Sequence, residues 1–379
     1  MYNTTKVFIA ACAGMAFFGV TMLSLGPILG QLAEGATALP STMSIGIILG
    51  TILFGPIVDR CGYKWLTIIA SILALLGVQG LAYFQVMPML HLSIACLGLG
   101  GGILNGLTNA LVSDIYEDDK RAGRMGVLGA FYCIGALLWT LLNYFIADFH
   151  IPLYLTSAIM LGFIVYFCFI AFPTAKPQDA NADWIDGIKQ SVGLLKYPVL
   201  VLFAIVLFFQ SGFEGASGSF TVEFLKNTTA IDHKAATLAM TWFTIGMMAG
   251  RFPLGIIMAK LHELKTLYLY LIIGLLGVIL FSFGTQAWMA YVAMTLIGFG
   301  VGATFPVILN YIGGTFRAQS GTAISMAIFI ALLGQYTFNA IVGHNFQHSH
   351  YTMLPIMLIA ALAMIMCLVP IALRFTKKK

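Results

Sequence analysis

Apolar runs of about 20 residues, separated by short polar or charged segments, recur along the whole chain. Two of them, residues 41–59 and 65–86, flank the charged segment at residues 59–64. A helix of about 20 apolar residues spans the hydrocarbon core of a bilayer, because each residue adds about 1.5 Å. Only 9% of the 379 residues are charged and 60% are hydrophobic, whereas about a quarter are charged in soluble domains. We therefore expect an all-α polytopic membrane protein.

The runs predict twelve membrane spans in two halves. A polar linker at residues 174–196 separates an N-terminal six-helix half, residues 1–173, from a C-terminal six-helix half, residues 197–379. The loops are too short for a catalytic module, and no cluster of acids, histidines and cysteines lies at membrane depth, so an enzyme is not expected. The predicted spans are 7–31, 41–59, 65–86, 89–115, 123–147, 152–173, 198–225, 234–259, 265–285, 287–314, 320–343 and 351–374.

An internal repeat with an offset of 200 residues relates the two halves. The matched pairs are Gly50 with Gly250, Gly55 with Gly255, Arg60 with Lys260, and Gly98, Gly100 and Gly102 with Gly298, Gly300 and Gly302. Two separate stretches at one offset are hard to obtain by chance. We expect two similar halves related by a pseudo-two-fold axis along the membrane normal.

The basic residues are distributed by membrane side. Of the 19 lysines and arginines, only Lys226 and Lys234 fall outside when the N-terminus is placed in the cytoplasm. This positive-inside distribution predicts that both termini are cytoplasmic, in the plasma (inner) membrane of a bacterium. The net charge of +5 then reflects topology rather than nucleic-acid binding. The expected partners are membrane lipid and a small solute, and the expected state is a monomer.

Gly55 and residues 59–64 form the motif Gly-x-x-x-Asp-Arg-x-Gly-Tyr-Lys after the second span. This motif is similar to the loop signature of the major facilitator superfamily, and the resemblance covers nearly the whole chain. It implies twelve transmembrane helices and transport by alternating access. Within the superfamily, the glycine-rich fourth span with Asn109 and the Gly-Phe-Glu sequence of residues 212–214 resemble the fucose/galactose/glucose proton symporters.

The chain departs from that branch at the positions that carry its proton coupling. In the branch, carboxylates in spans one and four take part in coupling. Here span one contains no carboxylate, and the matching position in span four is Asn105. The branch's Asn and Gln positions in span five are Gly126 and Gly129. Coupling to H⁺ or Na⁺ would therefore have to rest on Glu214.

Glu214 is the only one of the 14 acids that sits well within a predicted span. Ionisable side chains are costly in a bilayer, so they are rare there and usually functional. Gln210 and Ser217 lie four residues before and three after Glu214, which places all three on one face of span seven. We expect Glu214 to be the ion-coupling residue. The alternative is a carboxyl group that only ties helices together.

Other polar and aromatic residues are candidates for a solute cavity because they share single faces of their spans. Amides and hydroxyls suit a solute rich in hydroxyl groups, and tryptophan can stack on the apolar face of a sugar ring. Amides that bridge helices are the alternative interpretation. The candidates are Asn105 and Asn109 on span four, Tyr132, Trp139 and Asn143 on span five, Gln210 on span seven, Trp242 on span eight, and Gln335 and Asn339 on span eleven.

The charged segment after span two is expected to gate access rather than to bind solute. The carboxylate of Asp59 can accept hydrogen bonds from a helix N-terminus in the opposite half, while basic residues suit the negative C-terminal end of span two. A similar network is expected after span four. The gating candidates are Gly55, Asp59, Arg60, Gly62, Lys64, Asp114, Arg121, Arg124 and Arg251.

Together these patterns predict a secondary active transporter that moves a small polar solute, with a sugar favoured, by alternating access. Coupling to H⁺ or Na⁺ is expected through Glu214, with neither an organic cofactor nor a metal. Two alternatives stay open. One is an ion-independent facilitator in which Glu214 binds solute, and the other is an exporter of amphipathic compounds.

Overall fold

The structure is a computed structural model that describes residues 2–116, 118–173, 193–254, 257, 261, 263–316 and 320–376. Its regular elements are α-helices and short 3₁₀ turns, as the sequence predicts. The helices are α1 (Thr4–Leu23), α2 (Leu39–Tyr83), α3 (Met87–Ile115), α4 (Asp118–Phe145), α5 (His150–Phe169), α6 (Pro198–Thr228), α7 (His233–Arg251), α8 (Glu263–Phe283), α9 (Ala287–Gly302), α10 (Thr304–Thr315), α11 (Ser320–Gln347) and α12 (Met353–Thr376).

These helices confirm the predicted fold class. Within the described ranges, eleven helical segments are long and apolar enough to cross a membrane. Predicted span eight, residues 234–259, corresponds to helix α7. Of the predicted linker, only residues 193–196 are described, and they contain the 3₁₀ turn Leu194–Lys196. The rest of the linker lies outside the described residues.

Predicted spans two and three are two arms of one element, α2. The charged segment between them continues the helix instead of forming a separate turn, and only Gly62 departs from helical angles, with φ 72° and ψ 166°. This region of backbone space is accessible almost only to glycine. A single glycine therefore joins the two arms.

Helix α1 is shorter than predicted span one, which runs to residue 31. It ends at Leu23, and a 3₁₀ turn at Leu29–Gln31 follows. Pro27 explains the early end, because proline lacks a backbone N–H and disfavours helical angles in the residue before it. The prediction of span one used only the length and hydrophobicity of the run, so it included this segment.

The chain divides into two compact units, residues 1–180 and 181–379. In the first unit, α1 packs against α3 and α4, and α2 packs against α3 and α5. In the second unit, α6 packs against α11 and α12, while α9 packs against α7 and α8.

Three pairs of glycines 200 residues apart make equivalent helix contacts in the two units. A Cβ atom added at any of them would lie within 3.0 Å of a carbonyl oxygen on the facing helix. Such close approach of two backbones requires a residue without a side chain. The contacts are Gly98 on Met43 and Gly298 on Phe243, Gly100 on Ala70 and Gly300 on Tyr270, and Gly50 on Leu99 and Gly250 on Phe299. The repeat in the sequence is thus a repeat of helix crossings.

Predicted span ten, residues 287–314, is interrupted where the sequence predicts one continuous helix. Helix α9 ends at Gly302, α10 begins at Thr304, and Ala303 lies between them. Pro306 accounts for the interruption. It has no N–H to donate to the carbonyl group of Gly302, four residues earlier, and its ring crowds that carbonyl.

Candidate solute and ion-coupling site

The C-terminal unit contains a polar face in the middle of helix α6. Gln210 and Ser217 are both 0% exposed, and Glu214 between them is half-buried. Glycines at positions 212, 215 and 218 thin the same part of the helix. The sequence predicted this shared face, and the structure places it in the interior of the unit.

Gln210 bridges α6 to the interruption in span ten. Its Nε2 atom donates a hydrogen bond of 3.1 Å to the carbonyl oxygen of Val301. Because only the NH₂ group can donate to a carbonyl, this bond fixes the orientation of the amide. No described residue donates a hydrogen bond to the buried Oε1 atom of Gln210. A buried acceptor left unsatisfied costs about 1–3 kcal/mol, so this oxygen is well suited to a ligand donor.

Helix α11 brings two more predicted site residues to α6. A Cβ atom at Gly215 would lie 2.5 Å from Cγ of Gln335, and Gly212 packs against the ring of Phe338. Gln335 is 2% exposed, and Asn339, one turn further along α11, is also buried. The α6–α11 crossing therefore packs Gln335 against the glycine next to Glu214.

The N-terminal unit carries an amide pair on α3. Asn109 is exposed and Asn105 is half-buried. The Nδ2 atom of Asn109 donates to the backbone oxygen of Asn105 at 2.8 Å and to its Oδ1 atom at 3.3 Å. The hydroxyl of Thr108 donates to the same backbone oxygen at 3.3 Å. The pair forms a polar patch on the surface of this helix.

The predicted face of α4 is buried inside the N-terminal unit. Tyr132, Trp139 and Asn143 are each 9% exposed or less. The amide of Asn143 donates to the carbonyl of Trp139 at 2.9 Å, and the ring of Tyr132 lies 5.6 Å from that of Phe18. The buried indole N–H of Trp139 has no acceptor among the described residues. It is an orphan donor, as Gln210 provides an orphan acceptor in the other unit.

Trp242 lies apart from these clusters, on α7. Its side chain is 37% exposed. Its stacking on a sugar ring stays a prediction.

Two predicted gating residues bind partners within the N-terminal unit. Asp114, near the end of α3, accepts a hydrogen bond of 2.7 Å from the hydroxyl of Tyr63. Lys64 donates a hydrogen bond of 2.7 Å to the carbonyl of Cys168, close to the end of α5. These two contacts fasten the second arm of α2 to α3 and α5, next to the Gly62 joint. The sequence did not predict Tyr63 or Cys168 as partners.

Arg124 on α4 makes a contact that the sequence did not predict. Its guanidinium group lies 5.1 Å from the ring centroid of Phe8 and 5.2 Å from that of Tyr116. The two rings are themselves packed edge to face at 5.5 Å. This arrangement joins the ends of α1, α3 and α4 through cation–π contacts.

The remaining gating candidates are less fully described. Arg251 occupies the last turn of α7. Gly55, Asp59, Arg60 and Arg121 belong to helices α2 and α4, but their surroundings lie outside the described residues. In the described part of the chain, no group of three His, Cys, Asp or Glu side chains could hold a metal ion.

The C-terminal unit groups several polar side chains along the α6–α11 crossing. It combines a carboxyl group, two glutamine amides, an asparagine amide and a serine hydroxyl at one helix crossing. Amides and hydroxyls can donate and accept hydrogen bonds, so they complement a polyhydroxylated solute. A carboxyl group among them can change its charge by binding a proton.

Comparison with known proteins identifies the family. The model described as Major Facilitator Superfamily matches residues 7–325 and residues 202–379. A protein TsgA homolog of Buchnera aphidicola subsp. Schizaphis graminum is 21% identical over 347 residues, covering 88% of this chain and 87% of the relative. Protein TsgA of Escherichia coli O6:K15:H31 is 22% identical over 362 residues, covering 92% and 89%.

Solved structures of transporters share the fold over nearly the whole chain. The nucleoside transporter NupG superposes with a TM-score of 0.76 at 15% identity, covering 100% of both chains. The D-xylose-proton symporter gives 0.74 at 18% identity, covering 95% of this chain and 97% of the other. The transporter FucP in the outward conformation gives 0.68 at 16% identity, covering 96% and 98%. At these identities the likeness establishes the fold. With the family match across both halves, the chain belongs to the Major Facilitator Superfamily and is a multi-pass membrane transporter of a small-molecule solute.

Proposed function

We propose that this transporter is a secondary active transporter of a small polar solute, with a sugar favoured, and that H⁺ or Na⁺ coupling acts through Glu214. The observation that carries the proposal is the polar crossing of α6 and α11, where Glu214 is half-buried beside buried amides. Placing a carboxyl group at membrane depth costs free energy, which favours a functional role for it.

A polyhydroxylated solute fits the groups at hand. In the C-terminal unit, Gln210 offers a buried acceptor oxygen, and Ser217 offers a buried hydroxyl that has no hydrogen-bond partner among the described residues. Three structures with this fold are named for a nucleoside, D-xylose and fucose as solutes. Each of these compounds carries a ring with several hydroxyl groups. We therefore favour monosaccharides and nucleosides as the first solutes to test.

The test is uptake of labelled D-xylose, L-fucose, D-glucose, D-galactose and uridine into liposomes containing the purified protein. Proton or sodium gradients are imposed, and the wild type is compared with Glu214→Gln. One coupled charge at about 100 mV supplies ~2.3 kcal/mol, which supports about 50-fold accumulation. We expect such accumulation in the wild type, and its loss in Glu214→Gln with solute exchange retained.

Glu223→Gln provides the matched control, since it makes the same change on the same helix, two and a half turns from Glu214. Accumulation should survive in this control. Flux that is indifferent to gradients and to Glu214→Gln would instead identify a facilitator. Failure to move any compound in the panel, with the protein folded, would remove the sugar proposal and direct the search to amphipathic compounds for export.

A further inference from the structure

Gln210 connects two features of the C-terminal unit that lie far apart in the sequence. It stands one helical turn before Glu214 on α6, and its amide reaches Val301, two residues before Ala303 at the interruption between α9 and α10. The whole side chain is 0% exposed. The NH₂ group of its amide donates to Val301, whereas the amide oxygen has no hydrogen-bond partner among the described residues.

The acceptor end matches the chemistry of a protonated carboxyl group. Residues four apart on a helix have Cβ atoms about 6 Å apart, within reach of two long side chains. A carboxylate can only accept hydrogen bonds, as can an amide oxygen, whereas a protonated carboxyl group can donate. We infer that Gln210 accepts a hydrogen bond from Glu214 only when Glu214 is protonated. This bond couples the protonation state of Glu214 to the stability of the backbone at the interruption in span ten. The inference rests on the proposed coupling role of Glu214.

A hydrogen bond at one end of the amide affects the other end, because Oε1 and Nε2 belong to one planar group. A hydrogen bond accepted at Oε1 polarises the amide and strengthens the bond that Nε2 donates to Val301. It also satisfies the buried oxygen, so the amide no longer gains a hydrogen bond by rotating away from Val301. Proton binding at Glu214 should thus stabilise the chain around Ala303, where Pro306 has already removed a helical hydrogen bond.

The helices packed against α6 carry few other titratable groups. The helices packed against α6 are α7, α10, α11 and α12. Their charged and histidine residues lie near the helix ends. The titratable and charged residues of these four helices are His233, Lys234, Arg251, Tyr311, Tyr336, His344, Cys367 and Arg374. Glu214 is the carboxyl group one helical turn from Gln210 on the same helix.

Hydrogen–deuterium exchange of the purified full chain in lipid nanodiscs tests the link without any solute. Two variants fix the donor state independently of pH, since Glu214→Gln keeps a donor and Glu214→Leu has none. One net hydrogen bond changes an opening equilibrium about fivefold. We expect amides in residues 299–308 to exchange about fivefold more slowly in Glu214→Gln than in Glu214→Leu.

The same comparison in two Gln210 backgrounds tests the transmission. In Gln210→Met the apolar side chain cannot accept or donate at these positions, and in Gln210→Asn the shorter amide cannot reach both partners. The two Glu214 variants should then exchange alike in either background. Gln79→Met, a similar change on α2 in the other unit, should leave the fivefold difference intact. A difference that persists without Gln210, or that is absent with it, overturns the inference.

The result is separable from the fate of the proposed function. Exchange in nanodiscs needs neither a solute nor a gradient, so the link can hold even if no sugar is moved. Conversely, gradient-driven uptake that depends on Glu214 but tolerates Gln210→Met would support the proposed function and overturn this link.

Discussion

Gly62 joins the two arms of α2 with backbone angles that other residues adopt only under strain. Its φ of 72° and ψ of 166° lie in a region used almost only by glycine. Space is not the constraint, because an added Cβ atom would meet nothing within 4 Å. The motif in the sequence marks this glycine, but only the backbone angles give the physical reason for it.

Replacing Gly62 by alanine should therefore destabilise the protein through its backbone. We expect a loss of about 1–3 kcal/mol, seen as a lower midpoint of thermal unfolding in detergent. Gly162→Ala is the matched control, since Gly162 lies within α5 and also has nothing within 4 Å. Alanine favours a helix over glycine by about 0.5–1 kcal/mol, so the control should be neutral or more stable. Equal behaviour of the two variants would exclude the backbone explanation.

The crossing of α6 and α11 sets the geometry of the candidate site at the scale of elements. Gly334 on α11 lies directly against the carbonyl of Phe208 on α6. Gly135 on α4 makes the same kind of contact with the carbonyl of Ala16 on α1. These crossings hold α1 against α4, and α6 against α11, at the distance of direct backbone contact.

Gly334→Ala should push α6 and α11 apart, because its methyl group would overlap the carbonyl of Phe208. Overpacking of this kind costs about 1–3 kcal/mol, and we expect a lower unfolding midpoint together with reduced solute transport. Gly314→Ala on α10 places a methyl group in open space and should change neither by much. Unaltered stability and transport in Gly334→Ala would show that the crossing has room to adjust.

Sequence patterns predicted the helices well and their interruptions poorly. Runs of apolar residues gave the spans because bilayer thickness fixes their length. The stop in α1 at Pro27 and the break before Pro306 were missed, although both prolines are visible in the sequence, because averaged hydrophobicity does not register one lost N–H. Likewise the shared face of Gln210 and Glu214 follows from helical spacing, whereas the bond from Gln210 to Val301 joins residues 91 positions apart.

At the scale of the whole molecule, the distribution of positive charge predicts which side each end of the chain occupies. Only Lys226 and Lys234 would face outward, and the positive-inside rule then places both termini in the cytoplasm. A C-terminal fusion to green fluorescent protein should fluoresce, while a C-terminal fusion to alkaline phosphatase should be inactive. A phosphatase inserted after Thr229, between α6 and α7, should be active. The opposite pattern of activities would show that both termini lie outside the cytoplasm.

The interruption at Ala303 distinguishes two spans that occupy equivalent positions in the repeat. In the first unit, α3 runs for 29 residues without a break, and the position equivalent to Pro306 at the repeat offset is Gly106. The corresponding span of the second unit is two shorter rods in series, meeting at one residue. Two series rods bend more readily than one rod of the same total length. We therefore expect this span, in the half that also holds Glu214, to bend more readily than its counterpart α3.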